Sequence, residues 1–157
     1  MKKYLFTLLA ICFLSSAVFA DDKQDALSFF NSYVEGANNY SPAIAEMYSP
    51  SAKIIRQVVK PDGTTVDVST DTATYIKQMK IGQAGAKLRK YKNTYTNISV
   101  TPQDGAYKIS SLRQPSGEDY KLKTYMVVKK QPNGKWLIVE EMMQTKVQTF
   151  LRYADKN

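Results

Sequence analysis

The chain has 157 residues, a formal net charge of +8, no histidine and a single cysteine, Cys12. That inventory removes disulfides, Cys/His zinc sites and histidine general bases. Cysteine nucleophiles go with them, because Cys12 lies in a leader read below as cleaved.

Lys2 and Lys3 form a basic start, Leu5 to Leu14 is an apolar run, and residues 15–20 end in the small residue Ala20 with Val18 two places before it. This pattern predicts a secretory signal peptide over residues 1–20, cleaved after Ala20. The apolar run is shorter than the roughly 20 residues a membrane span needs. Cys12 follows Ile11, where a lipoprotein signal wants a small residue, so a lipid anchor is disfavoured. The expected address is the periplasm or the exterior. Residues 21–157 are long enough for one domain around one core.

Asp21 to Asn39 reads as an amphipathic helix. Ala26, Phe29, Phe30, Tyr33, Val34 and Ala37 form one stripe at i, i+3, i+4 spacing. Asp21, Asp22 and Asp25 would sit at its start, where the helix dipole favours acids. Ser41 and Pro42 begin a short second helix as N-cap and first helical residue, which carries Ile44, Met47 and Tyr48 inward. Ala52 to Val59 and Thr64 to Val68 are the strands of a hairpin turned by Lys60-Pro61-Asp62-Gly63. Ser69-Thr70-Asp71 caps a third helix, expected from Thr72 to about Gln83 with Tyr75, Ile76 and Met79 inward. Gly82 and Gly85 mark its end.

The pattern then changes to period two. Strands are expected over Lys87 to Thr101, Ala106 to Arg113 and Glu118 to Lys130, separated by turns around Asp104-Gly105 and Ser116-Gly117. The last stretch, Gly134 to Phe150, is read as a long, curved, central strand, with a polar, fraying tail beyond it. Strict alternation puts Trp136, Ile138, Glu140, Met142 and Gln144 on one face and Leu137, Val139, Glu141, Met143 and Thr145 on the other. Both faces begin apolar, so both are expected to be covered. Adjacent Glu140 and Glu141 point opposite ways, and one of them faces the interior.

Lys77, Lys80, Lys87, Arg89, Lys90 and Lys92 lie between Asp71 and Asp104 with no acid among them. They form either a solvated face or a patch for an acidic protein or an anionic lipid surface. No recognition helix or aromatic RNA-binding signature is present, so nucleic acid is not an expected partner.

Three passages carry a family resemblance. The first is Phe29-Phe30-x-x-Tyr33 through Met47-Tyr48-Ser49-Pro50-Ser51-Ala52-Lys53-Ile54. The second is the capped third helix. The third is Asn133-Gly134-Lys135-Trp136-Leu137-Ile138-Val139-Glu140. In this order the chain resembles the nuclear transport factor 2-like (SnoaL-like) proteins over nearly all of its mature length. The resemblance implies an α+β domain, a cone-shaped curved antiparallel sheet packed on about three helices from the N-terminal half. It also implies an apolar pocket in the cone and homodimers through the sheet. Carried over, the pocket would be lined by Phe30, Tyr33, Tyr48, Trp136, Ile138, Glu140 and Met142.

Enzymes of that family often place His or Asp on the final strand, and here histidine is absent. Three functions follow as expectations. The first is a non-enzymatic module that holds a small apolar or amphipathic ligand in the cone or a protein on its sheet. The second is a lyase- or isomerase-type enzyme using Glu140 as acid or base with Tyr33 or Tyr48 as electrophile. The third is binding of the basic stretch to anionic lipid or an acidic protein. No metal or cofactor is expected.

Overall fold

The computed structural model describes the backbone of residues 5–156 and the side chains of residues 21–154. The expected signal peptide lies outside the residues whose side chains are described. Helix α1 spans Leu5–Asn38 and α2 spans Thr72–Leu88. A 3-10 helix, Pro42–Met47, lies between α1 and the first strand. The strands are β1 (Tyr48–Val59), β2 (Thr65–Thr70), β3 (Asn93–Gln103), β4 (Ala106–Pro115), β5 (Leu122–Lys130) and β6 (Trp136–Thr145). They form one curved, unclosed sheet in the order β2-β1-β6-β5-β4-β3.

The hairpin β1–β2 leaves the chain at one edge of the sheet, and α2 carries it to the other edge. A meander of four strands then returns to lie beside β1. That return makes β1 and β6 parallel, as a long crossover permits. Every other neighbouring pair is antiparallel, so the sheet is mixed where an antiparallel one was expected.

The inner face is built from rows of aligned residues. Ile54, Glu141, Met126, Ile109 and Val100 stand side by side across five strands. Onto this face α1 lays the expected stripe, with Ala26, Phe30 and Tyr33 buried and Phe29, Val34 and Ala37 half-buried against the same core. Phe30 meets Tyr95 edge to face at 5.5 Å. Asp22 and Asp25 lie within α1 rather than at its start, and Lys130 of β5 bridges them at 2.8 and 3.7 Å.

Both helices close with paired backbone bonds. At the end of α1, Tyr40 N–H donates to Ala37 O and Ser41 N–H to Gly36 O; at the end of α2, Lys90 N–H donates to Lys87 O and Tyr91 N–H to Ala86 O. These are Schellman motifs, which place one residue in the left-handed region, usually glycine. Here the residues are Tyr40 (φ 58°) and Lys90 (φ 53°). Helix α2 therefore runs through Gly82 and Gly85, and β3 starts at Asn93, not Lys87. Asp71 caps α2 as expected, accepting from Thr74 N–H at 2.8 Å.

Three strands depart from regular pairing, and on β1 the four residues between Tyr48 and Lys53 stand opposite the single Val139 of β6. On β6, Val127 pairs with Glu140 and Val128 with Ile138, so Val139 is unpaired. On β3, the register slips between Thr96 and Ser99, at Asn97 with φ 55°. Such bulges bend a strand and flip the side-chain phase beyond them. Strand β6 is central as expected, but it stops at Thr145. A second 3-10 helix, Gln148–Lys156, replaces the expected strand end and fraying tail. Gln148 ties that helix to β1 by donating to Val59 O at 2.8 Å.

Candidate functional site

The bulge at Val139 decides which carboxylate enters the core. Before it, Ile138 faces inward; after it, the inward residues are Glu141 and Met143 instead of Glu140 and Met142. Glu141 is 1% exposed. Its Oε2 accepts from Tyr48 at 2.5 Å and from Tyr33 at 3.4 Å. Its Oε1 accepts from Arg56 Nη1 at 2.9 Å and from Tyr75 at 3.5 Å. Tyr48 lies 3.2 Å from the Tyr33 hydroxyl and 3.4 Å from that of Tyr75. The Arg56 guanidinium stacks 4.7 Å from the Tyr75 ring centre.

One buried anion is thus held by one cation and three phenols. Burial, followed by the Glu141 charge, pushes the Tyr33, Tyr48 and Tyr75 hydroxyls above the usual tyrosine range. They remain protonated donors. Burial opposes the charge on Arg56, but contacts with Tyr75, Glu141 and Tyr48 outweigh it and raise its pKa.

Beside this cluster, between the sheet and α2, lies a cavity of about 240 Å³. Its walls are partly apolar, from Ala37, Ile44, Met79, Ala86 and Met143. The polar residues Tyr33, Tyr40, Arg56, Tyr75, Asn93 and Arg113 also line it. Gln83 of α2, also in the wall, donates to Ser41 O at 2.9 Å and ties that helix to the end of α1. Glu141 does not line this cavity. It borders a separate void of about 10 Å³ with Phe30, Tyr33 and Tyr95.

Of the residues expected to line a pocket, only Tyr33 reaches the 240 Å³ cavity. Phe30, Tyr48 and Ile138 are buried core. Trp136 packs against Tyr107 with ring centres 6.0 Å apart. Glu140 and Met142 lie on the opposite face of the sheet. There Glu140 accepts from Tyr125 at 2.5 Å, and Met142 sits among Lys108, Lys123 and Tyr125. The expected convergence of Tyr33 and Tyr48 on a glutamate occurs, but on Glu141, because of the bulge.

Arg56 and Arg113 stand outside the expected lining, although the sequence carries a signal for both. Ile54-x-Arg56-x-Val58 and Tyr107-x-Ile109-x-Ser111-x-Arg113 put each guanidinium in phase with core residues. The six basic residues Lys77, Lys80, Lys87, Arg89, Lys90 and Lys92 are all exposed. Lys77, Lys80 and Lys87 lie on α2, and the other three lie in the turn that follows it. Among the described residues no group of acids, histidines or cysteines could hold a metal ion.

A curved, unclosed sheet wrapped around helices, with a cavity beneath α2, defines an α+β cone. No protein-family model matches the chain, and no curated protein matches it in sequence. Solved structures do. The chain is similar to a nuclear transport factor 2-like protein of unknown function from Pseudomonas putida, with TM-score 0.64 and 9% identity over 83% of this chain and 92% of that one. It is similar to nuclear transport factor 2 from Cryptosporidium parvum, with TM-score 0.57 and 12% identity over 78% and 93%. It is also similar to a candidate ketosteroid isomerase from Shewanella frigidimarina, with TM-score 0.56 and 15% identity over 75% and 93%. The fold is therefore the nuclear transport factor 2-like fold. At these identities the likeness carries no chemistry, because one fold hosts many functions.

Proposed function

We propose that the domain is a non-enzymatic binding module, exported by its leader, that holds a small ligand in the 240 Å³ cavity. One observation carries the reading. Among the described residues, Glu141 is the only buried carboxylate, and it lies outside that cavity with its oxygens engaged by Arg56 and tyrosines. A general base must reach its substrate's proton directly or through one water. Glu141 is placed to hold the core together, while the cavity offers apolar walls and a few polar groups, as ligand pockets do.

Native mass spectrometry of the exported protein is the test. The expected result is a small bound mass that disappears in Ala86→Phe, which fills the cavity. An empty wild-type protein that also rejects small aromatic and aliphatic compounds refutes the reading.

The outer face of α2 supports a second, separate interaction. Lys77, Lys80, Ile81, Ala84 and Leu88 fall on one helical stripe opposite Tyr75, Met79 and Ala86. Ile81 is 72% exposed and Leu88 86%. Apolar side chains set among cations suit an anionic lipid surface. Binding to phosphatidylserine vesicles that is lost in high salt, and weakened about tenfold by Lys80→Glu with Lys87→Glu, is expected. Salt-indifferent binding, or none, removes this reading.

A further inference from the structure

The two arginines of the inner face, Arg56 half-buried and Arg113 buried, differ in one respect. Arg56 has an anion at 2.9 Å, and Arg113 has none. Arg113 is 5% exposed. Its Nη1 donates to Asn93 Oδ1 at 2.8 Å and to the Tyr91 hydroxyl at 3.3 Å, and its Nη2 donates to the Gln144 carbonyl at 2.9 Å. All three acceptors are neutral. Among the described residues no carboxylate lies within 4.0 Å of the guanidinium. Its Nε–H is buried with no acceptor, and the Tyr40 hydroxyl is likewise buried with no partner.

Both residues line the 240 Å³ cavity. Burying a charge is costly unless an opposite charge and hydrogen bonds accompany it. Nearly all buried polar atoms in native proteins find a partner, so two orphans on residues that line one cavity call for an explanation.

We infer that the cavity takes a small organic monocarboxylate, whose oxygens accept from Arg113 Nε–H and the Tyr40 hydroxyl while its apolar body lies against Ala37, Ile44, Met79 and Ala86. This rests on the reading of the cavity as a ligand site and names the class of ligand. The charge balance selects a monoanion. Arg56 and Glu141 neutralise each other, which leaves one positive charge at the cavity. The two free donors match the two oxygens of a carboxylate and are too few for a phosphate dianion. The volume sets the size of the body. An apolar cavity of about 150 Å³ accepts benzene, so about 240 Å³ admits one ring with a short acidic arm or a chain of similar bulk.

The test is calorimetric titration of the wild-type protein with two matched pairs, phenylacetate with phenylacetamide and hexanoate with hexanamide, and with inorganic phosphate. At least one acid should bind about tenfold or more tightly than its amide, as a charge-assisted hydrogen bond requires. Arg113→Met should erase that preference, Arg113→Lys should keep part of it, and Tyr40→Phe should weaken the acid several-fold. The wild-type comparison decides the matter even if a variant fails to fold. If acid and amide bind equally, the carboxylate inference is overturned and the cavity reading stands. Phosphate binding more tightly than either acid overturns it as well. If none of the four organic probes binds, the cavity reading itself falls.

Discussion

The Arg56–Glu141 pair can be broken one charge at a time. Glu141→Gln keeps the shape and the acceptor for Tyr48 but leaves the half-buried Arg56 without its anion. The bonds affected are the 2.9 Å ion pair and the 2.5 Å bond from Tyr48. A hydrogen bond to a charged group contributes about 1.5–3 kcal/mol and a neutral one about 1. Replacing two of the first kind by weaker neutral contacts, with a stranded charge left behind, costs about 3 kcal/mol. Arg56→Met should cost about as much by stranding Glu141 instead.

The double variant Arg56→Met with Glu141→Gln buries neither charge. It should be less destabilised than the sum of the singles by about 2 kcal/mol or more. Urea denaturation at neutral pH, with slopes unchanged between variants, measures all three. Strictly additive losses, or single losses below about 1 kcal/mol, would show that the glutamate is not held as a structural charge. Glu141 would then stand as a candidate acid or base.

The remaining expectations concern the same core and its surroundings. Tyr33, Tyr48 and Tyr75 titrate higher in the folded protein than in the unfolded chain, so the stability they contribute is complete below about pH 10. It is lost as pH rises beyond that value, at up to about 4 kcal/mol per pH unit if all three act together. Alkaline denaturation followed by phenolate absorbance, with no change in urea midpoint between pH 9 and 11, would contradict this. Glu140→Gln, on the far face, should change stability by less than about 1 kcal/mol; a loss equal to that of Glu141→Gln would mean that Val139 is not the bulged residue. Gly82 lies inside α2 with nothing within 4 Å of an added Cβ, so Gly82→Ala should stabilise by about 0.5–1 kcal/mol and raise the melting temperature by a few degrees. A lower melting temperature would argue that α2 needs the glycine's freedom.

The sequence carries the order of elements plainly, because that order rests on period, caps and turn residues. The stripe of α1, the Asp71 cap and the Asp104-Gly105 turn all declare themselves. It conceals the ends of the helices. Tyr40 and Lys90 occupy left-handed positions where glycine is the usual signal, while Gly82 and Gly85 sit inside a helix where they suggest an end. It conceals the phase of β6 as well. Nothing in Leu137-Ile138-Val139-Glu140-Glu141 marks a bulge: Val139 is β-branched and no glycine is near. Alternation narrowed the interior acid to Glu140 or Glu141, and only the pairing of β5 with β6 chooses between them. The bulge on β3 did leave a trace, since Asn97 tolerates the left-handed region better than most residues.

Because the cavity wall forms where α2, the end of α1 and strands β1, β3, β4 and β6 meet, no local pattern announces it. The arginines are the exception, since each lies in phase with apolar neighbours, and Arg113 leads to a test that separates ligand binding from architecture. In the ligand-free protein, Arg113→Met removes a buried cation that has no anion, which favours the variant by an amount of order 1–4 kcal/mol when the replacement packs well. It also removes three bonds, to Asn93, Tyr91 and Gln144, which costs a similar amount. The two effects oppose, so the net change should stay within about 1.5 kcal/mol. A loss above about 3 kcal/mol in the ligand-free protein would identify Arg113 as a fastener between β3, β4 and β6, and its free Nε–H would then have a structural meaning instead of a ligand.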